Sequence, residues 1–550
     1  MKYIKIVISC SLLFLGSCNK PLDYSEASFY GEDAVLNSPS LYKALLTTIY
    51  SYLPSDFNSI DGAMRASATD DAVHVWDLSA IKRFNDGSWS ALQPLDDQWG
   101  YLYTGIRSAN LFLQKSEGQT FEDLRYNDGY REMMIQYDNY PNEARFLRAF
   151  FYFELIKRYG DVPLITTPLT VQEANAVTRT PYEGVVDFIV SECDDIIPKL
   201  PVSYASLPGA ETGRATKGAA LALKARTLLY AASPLHNATN DPAKWEAAAS
   251  AAKELIDMQQ YSLEGSYQNV VNNINSPELI LERRQDFSNA FEIANFPVGY
   301  EGGNTGTCPT DNLVQAYEMQ ETGMGIHEEG SGYVAENPYA GRDPRMYETI
   351  LYNGASWKNA TIEVWPGGFN GPPQERATKT GYYLKKYVIE GISLNPVNPT
   401  TQQHTWVVFR YGEVLLNYAE AMNEVFGPNG KGAGTLQMSA REAVNLIRGR
   451  AHMPDFPADL SKDVFREKLR NERRVELAFE DSRFWDIRRW DIGSSTTQIY
   501  GVEVNRTNSG QVSYRPKLVE TRVWSDKMNF YPIAQNELYV NKELNQNPDW

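Results

Sequence analysis

The sequence predicts a mainly α-helical protein whose helices gather toward the two ends of the chain, around a loop-rich, mostly irregular middle section. Three observations predict it. From Asn142 to Tyr159 apolar side chains recur at Leu147, Phe151 and Leu155 and again at Phe146, Phe150 and Phe153, so two adjacent helix faces are apolar, as in a helix held between neighbours. In KGAALALKARTLLYAASP, residues 217–234, alanines at Ala219, Ala220, Ala222, Ala225, Ala231 and Ala232 permit close helix contact. Between about Gly265 and Thr405 the pieces GGNTGTCP, ENPYAGRDPR and WPGGFNGPP replace periodicity with turn residues.

The chain opens with Lys2 and Lys5, an apolar run from Ile6 to Leu15, and small residues, which is the layout of a bacterial secretory signal. Ten helical residues rise about 15 Å, roughly half the hydrocarbon thickness, so the run is too short to span a bilayer. Leu15, Gly16, Ser17 and Cys18 resemble a lipobox, which makes residues 1–17 a lipoprotein signal peptide and the acylated Cys18 the mature N-terminus. Each buried CH₂ of an acyl chain contributes about 0.8 kcal/mol, so several chains on one residue hold a protein stably.

Further along, Gly160 and Pro163 end the first long helix. Pro234 stops the alanine-rich one. Asp241 and Pro242 offer an N-cap and a first-turn proline, opening a helix with Trp245, Ala248, Ala252, Leu255 and Ile256 on one side, a spacing that resembles a tetratricopeptide helix. Other helices are expected from Arg410, from Met438, and over SKDVFREKLRNERRVELAFED from Ser461. A strict 34-residue period is not visible, so any solenoid is degenerate and interrupted by long loops, and loops of that length are usually functional.

At 550 residues the length prior is about three to four domain-sized units. Hydrophobic residues at 43% and charged residues at 22% are ordinary globular usage, which argues against global disorder and against many membrane spans. With 52 basic and 69 acidic side chains the formal charge is −17, a surface that repels phosphate backbones and argues against nucleic acid as a partner. Cys10 leaves with the signal and Cys18 is spoken for, so Cys193 and Cys308 remain; two cysteines make no disulfide framework, and sequence leaves open whether they pair.

Six segments and the lipobox together resemble the SusD/RagB family of outer-membrane lipoproteins of Bacteroidota. The segments are YLYTGIRSANLFLQ from Tyr101, EARFLRAFFYFELIKRYGDVPLI from Glu143, GRATKGAALALKARTLLYAASP from Gly213, RYGEVLLNYAEAMNE from Arg410, NERRVELAFEDSRFWDIRRW from Asn471, and FYPIAQNELYVNKELNQNP from Phe530. The resemblance implies an imperfect tetratricopeptide-repeat helical body of four units, a loop-rich remainder holding the ligand site, and a TonB-dependent outer-membrane transporter, SusC-like, as partner. It divides the mature chain into an N-terminal region, 18–264, and a C-terminal region with the loop-rich insert, 265–550, expected to form one compact body. It also implies a lipid-anchored location on the outer membrane, facing the cell exterior.

Catalytic chemistry has little support. HExxH, GxSxG, Walker A and EF-hand patterns are missing, and His74, His236, His327, His404 and His452 are too dispersed to suggest a metal cluster, so no cofactor, metal or catalytic residue is expected. Glu472, Glu476 and Glu480, with Arg473, Arg474 and Arg483, could be imagined as a glycosidase pair, but along one helix they would form a surface row or pair with the interleaved arginines. The glycine-rich FGPNGKGAG from Phe426 lacks the phosphate-loop lysine and hydroxyl at the required spacing and reads as a linker.

Aromatic residues are more informative. The 11 Trp, 34 Tyr and 22 Phe include several in loops, and rings with polar neighbours suit sugars, whose CH faces stack while their hydroxyls need Asp, Asn or Arg. One region offers Asp70, Asp71, Trp76, Arg83 and Trp89; a second offers Phe296, Tyr300, Asn304 and Cys308. In members of the resembled family stacking aromatics commonly come from these two regions, although the second lacks tryptophan here. The expected ligand site is therefore Trp76, Trp89 and Tyr300 as stacking surfaces with Asp70, Asp71, Arg83 and Asn304 as hydroxyl partners. The expected role is non-catalytic capture of an oligosaccharide or polysaccharide and delivery to the transporter. Peptide capture by the same architecture is the alternative within transport. A surface-anchored glycoside hydrolase would need converging carboxylates, and a pure scaffold would leave the aromatic loops unexplained.

Overall fold

The computed structural model describes residues 32–207 and 209–550, so the signal segment and Cys18 lie outside the described residues. Among the described residues, these helices carry the architecture: α1 (Pro39–Tyr50), α2 (Trp99–Ser116), α3 (Tyr140–Tyr159), α4 (Tyr182–Ile196), α5 (Lys217–Ala232), α6 (Pro242–Asp257), α7 (Tyr411–Phe426), α8 (Ala440–Arg450), α9 (Lys462–Glu476) and α10 (Ser482–Arg489). They pack in sequence, α1 on α2, α2 on α3, and so on to α6 on α7, after which α7 takes both α8 and α9. The mainly helical, tetratricopeptide-like body is thus the observed fold.

The local reasons are the expected ones. Helix α3 is buried on nearly every side, including Phe146, Phe150, Phe151 and Phe153, and Gly160 ends it at φ 68°, a conformation that favours glycine. At the start of α5 the Thr216 hydroxyl accepts from the Ala219 amide, and at the start of α6 the Asp241 carboxylate accepts from the Ala243 amide. The alanines of α5 let it meet α4, α6 and α7 at once. Because α6 packs on α7, the helical array runs straight across the 153 residues that separate Asp257 from Tyr411.

Those intervening residues are mostly loop, but two long strands frame them. Strand β2 (Leu279–Ser288) pairs antiparallel with β4 (Gln402–Arg410), from Gln402 opposite Ser288 to Arg410 opposite Leu279. Between them in sequence lies β3 (Thr307–Pro309), which pairs with β1 (Ala72–His74) from the N-terminal part. A hairpin of β5 (Gln498–Arg506) and β6 (Val512–Thr521) follows the last helix. The β2–β4 ladder and the hairpin escape a reading by pattern. Glu282, Arg283, Arg284 and Asp286 break the apolar alternation of β2, and most of β6 faces solvent.

One expected helix is shorter than its pattern. The stretch from Ser461 stops at Glu476; Phe479 and Asp481 take φ of 62° and 67°, and the chain turns before α10 begins. The turn lets Asp481 accept from Arg65 at 2.6 Å and from the Trp485 indole at 2.9 Å. The glutamates of this stretch are also not a surface row. Glu472 and Glu476 are buried, and their partners come mainly from elsewhere: Arg345 reaches them at 2.5 and 2.9 Å, Arg448 reaches Glu472 at 2.8 Å, and Arg410 reaches Glu476 at 2.8 Å and Glu480 at 2.6 Å. This lattice ties α8 and α9 to the end of β4 and to the short helix at 344–349. Removing one member of such a lattice leaves an uncompensated buried charge, at a cost of about 3–5 kcal/mol.

Candidate functional site

The β1–β3 ladder sets Ala72 opposite Pro309, Val73 opposite Cys308 and His74 opposite Thr307, and the Val75 amide extends it to the Gly306 carbonyl at 2.9 Å. The two aromatic regions named from sequence therefore meet. Just beyond the ladder the Trp76 indole N–H donates to the Asn304 carbonyl at 3.3 Å, and 41% of Trp76 remains exposed. The Asn304 side-chain amide donates to the Ile293 carbonyl at 2.9 Å, which fixes its orientation.

A third loop completes the surface. Asn370 is fully buried and donates to the Val298 carbonyl at 2.7 Å while accepting from the Glu363 amide at 3.1 Å. That staples residues 363–379 onto the 297–306 loop. The approach is close enough that a Cβ on Gly299, at φ 96°, would meet the Phe369 carbonyl oxygen at 2.5 Å. Phe369, 45% exposed, stands edge-on to Tyr300 with ring centroids 5.3 Å apart, and the Tyr300 hydroxyl donates to the Trp357 carbonyl at 3.0 Å. From the same loop Arg376 places its guanidinium 4.1 Å over the Trp76 ring and donates to the Asn304 side-chain oxygen, and Lys379 pairs with Asp77. The Lys379 hydrogen bond holds the Asp77 carboxyl below its usual range.

Trp76, Tyr300 and Asn304 thus share one loop cluster. Three other expected residues are corrected. Trp89 is 2% exposed, packed against Phe84, Tyr531 and Trp550, so it offers no face to a ligand. Asp70 and Asp71 are buried: Arg483 grips Asp70 at 2.9 Å through two nitrogens, and Arg474 reaches Asp71 at 2.7 Å. Burial opposes ionisation of Asp70, but Arg474 and Arg483 outweigh it and hold the carboxyl well below its ordinary range; burial raises Asp71. Arg83 donates to the Gln93 carbonyl within its own loop, and its remaining donors stay available. Phe369, Arg376 and Lys379 are the residues that sequence reasoning missed. The WPGGFNGPP turn signal marked their loop without showing that it folds against the other two.

Depressions also lie elsewhere. An apolar one of about 250 Å³ is lined by Trp99, Tyr103, Ile106, Pro163 and Val540. A polar one of about 460 Å³ is lined by Arg65, Asp96, Asp97, Tyr101 and Arg158, but Arg65 and Arg158 are both within ion-pair distance of Asp96. Among the described residues no group of His, Cys, Asp and Glu is placed to hold a metal, and no helix is long and apolar enough to cross a membrane. Glu472, Glu476 and Glu480 are committed to ion pairs inside the protein.

A sequence model of the SusD family matches residues 268–550, just over half of the chain. The chain belongs to the SusD family. A second model, described as starch-binding associating with outer membrane, matches residues 22–229 of this SusD-family chain. A SusD-like protein of Formosa agariphila is 24% identical, covering 98% of this chain and 96% of its own. A solved SusD-like protein of Bacteroides fragilis superposes with a TM-score of 0.78 at 27% identity, covering 94% and 99% of the two chains. A second solved structure from the same species, described as a SusD-like carbohydrate-binding protein, gives 0.74 at 25% identity, with 93% and 100% covered. Carbohydrate binding and association with the outer membrane are properties at the level of this family.

Proposed function

We propose that this protein is a non-catalytic, lipid-anchored receptor on the exterior of the outer membrane that binds an oligosaccharide or polysaccharide and delivers it to a TonB-dependent transporter. The observation that carries the binding reading is the Trp76 loop cluster: a part-exposed indole with the Asn304 carbonyl at its N–H edge and the Arg376 guanidinium over one ring face, and a second exposed ring at Phe369 on the same loop as Arg376. An apolar ring face flanked by hydrogen-bonding groups matches a sugar ring and its hydroxyls. Family membership supports the transport step, and the lipobox at Cys18 supports the anchor.

Calorimetry of the mature protein against a glycan panel, with product analysis of the same mixtures, tests the reading. Binding without shortened products is expected, and product formation that scales with protein overturns the non-catalytic assignment. Affinity capture after gentle detergent extraction is expected to recover a large β-barrel, and repeated recovery of the lipoprotein alone rejects the pairing. Cys18→Ala is expected to leave the membrane fraction; retention through high salt and carbonate washes rejects the anchor.

A further inference from the structure

Arg376 is held in place but not neutralised. Its backbone sits at φ 66°, a region that non-glycine residues rarely adopt, and this aims the side chain across Trp76. The guanidinium stacks on the ring at 4.1 Å and gives one hydrogen bond to the neutral Asn304 side chain. Its one carboxylate neighbour within ion-pair distance, among the described residues, is Glu375 at 4.0 Å, and the Glu375 side chain is 91% exposed. A guanidinium has five donors in a planar fork, so most of this one's donors are uncommitted. Three residues on, Lys379 is countered by Asp77, whose side chain is 78% exposed. In a chain of net charge −17, a cation braced against the exposed aromatic ring of the candidate site is placed where ligand, not protein, supplies the opposite charge.

We infer that the Trp76 site selects acidic saccharides, with the Trp76 ring taking the sugar and Arg376 taking a carboxylate or sulfate group on that sugar or its neighbour. The inference rests on the reading of Trp76 as the glycan platform. Bidentate contact from a pre-oriented guanidinium to a planar or tetrahedral anion is stronger and more directional than a bond to a hydroxyl. Stacking alone would accept neutral sugars as well, so the charge preference belongs to Arg376.

The test measures binding by calorimetry at several salt concentrations with three oligomers of matched length: one of uronic acids, one of sulfated galactose and one of neutral glucose. The variants are Arg376→Gln, Arg376→Lys and Trp76→Ala, each first checked for an unchanged melting temperature. The expected result is preference of the parent protein for one of the acidic oligomers over the neutral one. Arg376→Gln should lower that affinity at least tenfold and flatten its salt dependence, and Arg376→Lys should recover part of it. The uronate and sulfate arms tell the two anions apart. Preference for the neutral oligomer, or Arg376→Gln raising affinity by uncovering the ring, overturns the inference while leaving the platform intact if Trp76→Ala abolishes binding. Binding of all three oligomers untouched by Trp76→Ala removes the platform itself.

Discussion

The indole N–H of Trp76 meets the carbonyl of Asn304 at 3.3 Å although 228 residues separate them in the chain. The contact follows from the β1–β3 ladder, whose last backbone bond joins Val75 to Gly306. With its N–H already satisfied by protein, the indole has only its ring surface to offer a ligand, which is the part that stacks on sugars.

Trp76→Ala is accordingly expected to weaken glycan binding by about thirtyfold, the effect of losing an interface residue worth about 2 kcal/mol. Its melting temperature should shift by less than about 2 °C, because the ring is largely outside the core. Calorimetry and thermal unfolding of the same sample check both halves. A stability loss with affinity retained would make Trp76 a packing residue.

Trp89→Ala should do the reverse. The ring is enclosed by Phe84, Tyr531 and Trp550, and truncating such a residue typically costs about 3–5 kcal/mol. Urea unfolding should show the drop, while the affinity of the molecules still folded stays at the parental value.

The contrast between Trp76 and Trp89 shows what the sequence could resolve. Helices α3, α5 and α6 were legible because periodicity, caps and breakers are local signals: Gly160 and Asp241 act as the caps their positions suggested, and α5 ends just before Pro234. Both tryptophans lie in one polar, aromatic loop, and nothing local separates a ring that turns inward from one that turns outward. Asp70 and Asp71 read as available acids because their partners, Arg474 and Arg483, lie some 400 positions away, in α9 and α10. Arg376 was illegible for the same reason: its role comes from Trp76 and Asn304, neither of them near it in sequence.

Cys193 and Cys308 are both free and buried. Burial pushes the Cys308 thiol up to about 11 and raises Cys193 further, so almost no thiolate is present at neutral pH. A chromogenic disulfide reagent at pH 8 should therefore label neither in the native mature protein and both after unfolding in guanidinium. Rapid labelling of one under native conditions would show that its segment opens locally, and two unreactive cysteines after unfolding without reductant would show a disulfide.

Acid should destabilise the helical body through Glu154 and Glu420. Burial alone would raise both carboxyls, but Lys157 and Arg158 outweigh it at Glu154, and Arg489 outweighs it at Glu420, so each carboxyl sits at about 2 against an ordinary 4.5. Arg489 donates to Glu420 at 2.6 and 2.8 Å and the Trp490 indole adds a third bond at 2.7 Å, all of which favour the ionised form. Above pH 4.5 each group is ionised in folded and unfolded chains alike, and its full contribution is present. As pH falls from 4.5 toward 2 the unfolded chain takes up the proton first, and the stabilisation drains away by about 3 kcal/mol per group. Urea midpoints should therefore change little on account of these groups from pH 7 to 5 and drop steeply from pH 4.5 to 3. Glu420→Gln leaves Arg489 with Asp486 alone as a charged partner, so this variant should be less stable at pH 7 by about 3–5 kcal/mol. Having no carboxyl to protonate there, it should also lose less than the parent between pH 4.5 and 3. An equally steep acid limb in the variant would place the acid sensitivity elsewhere than the Glu420–Arg489 pair.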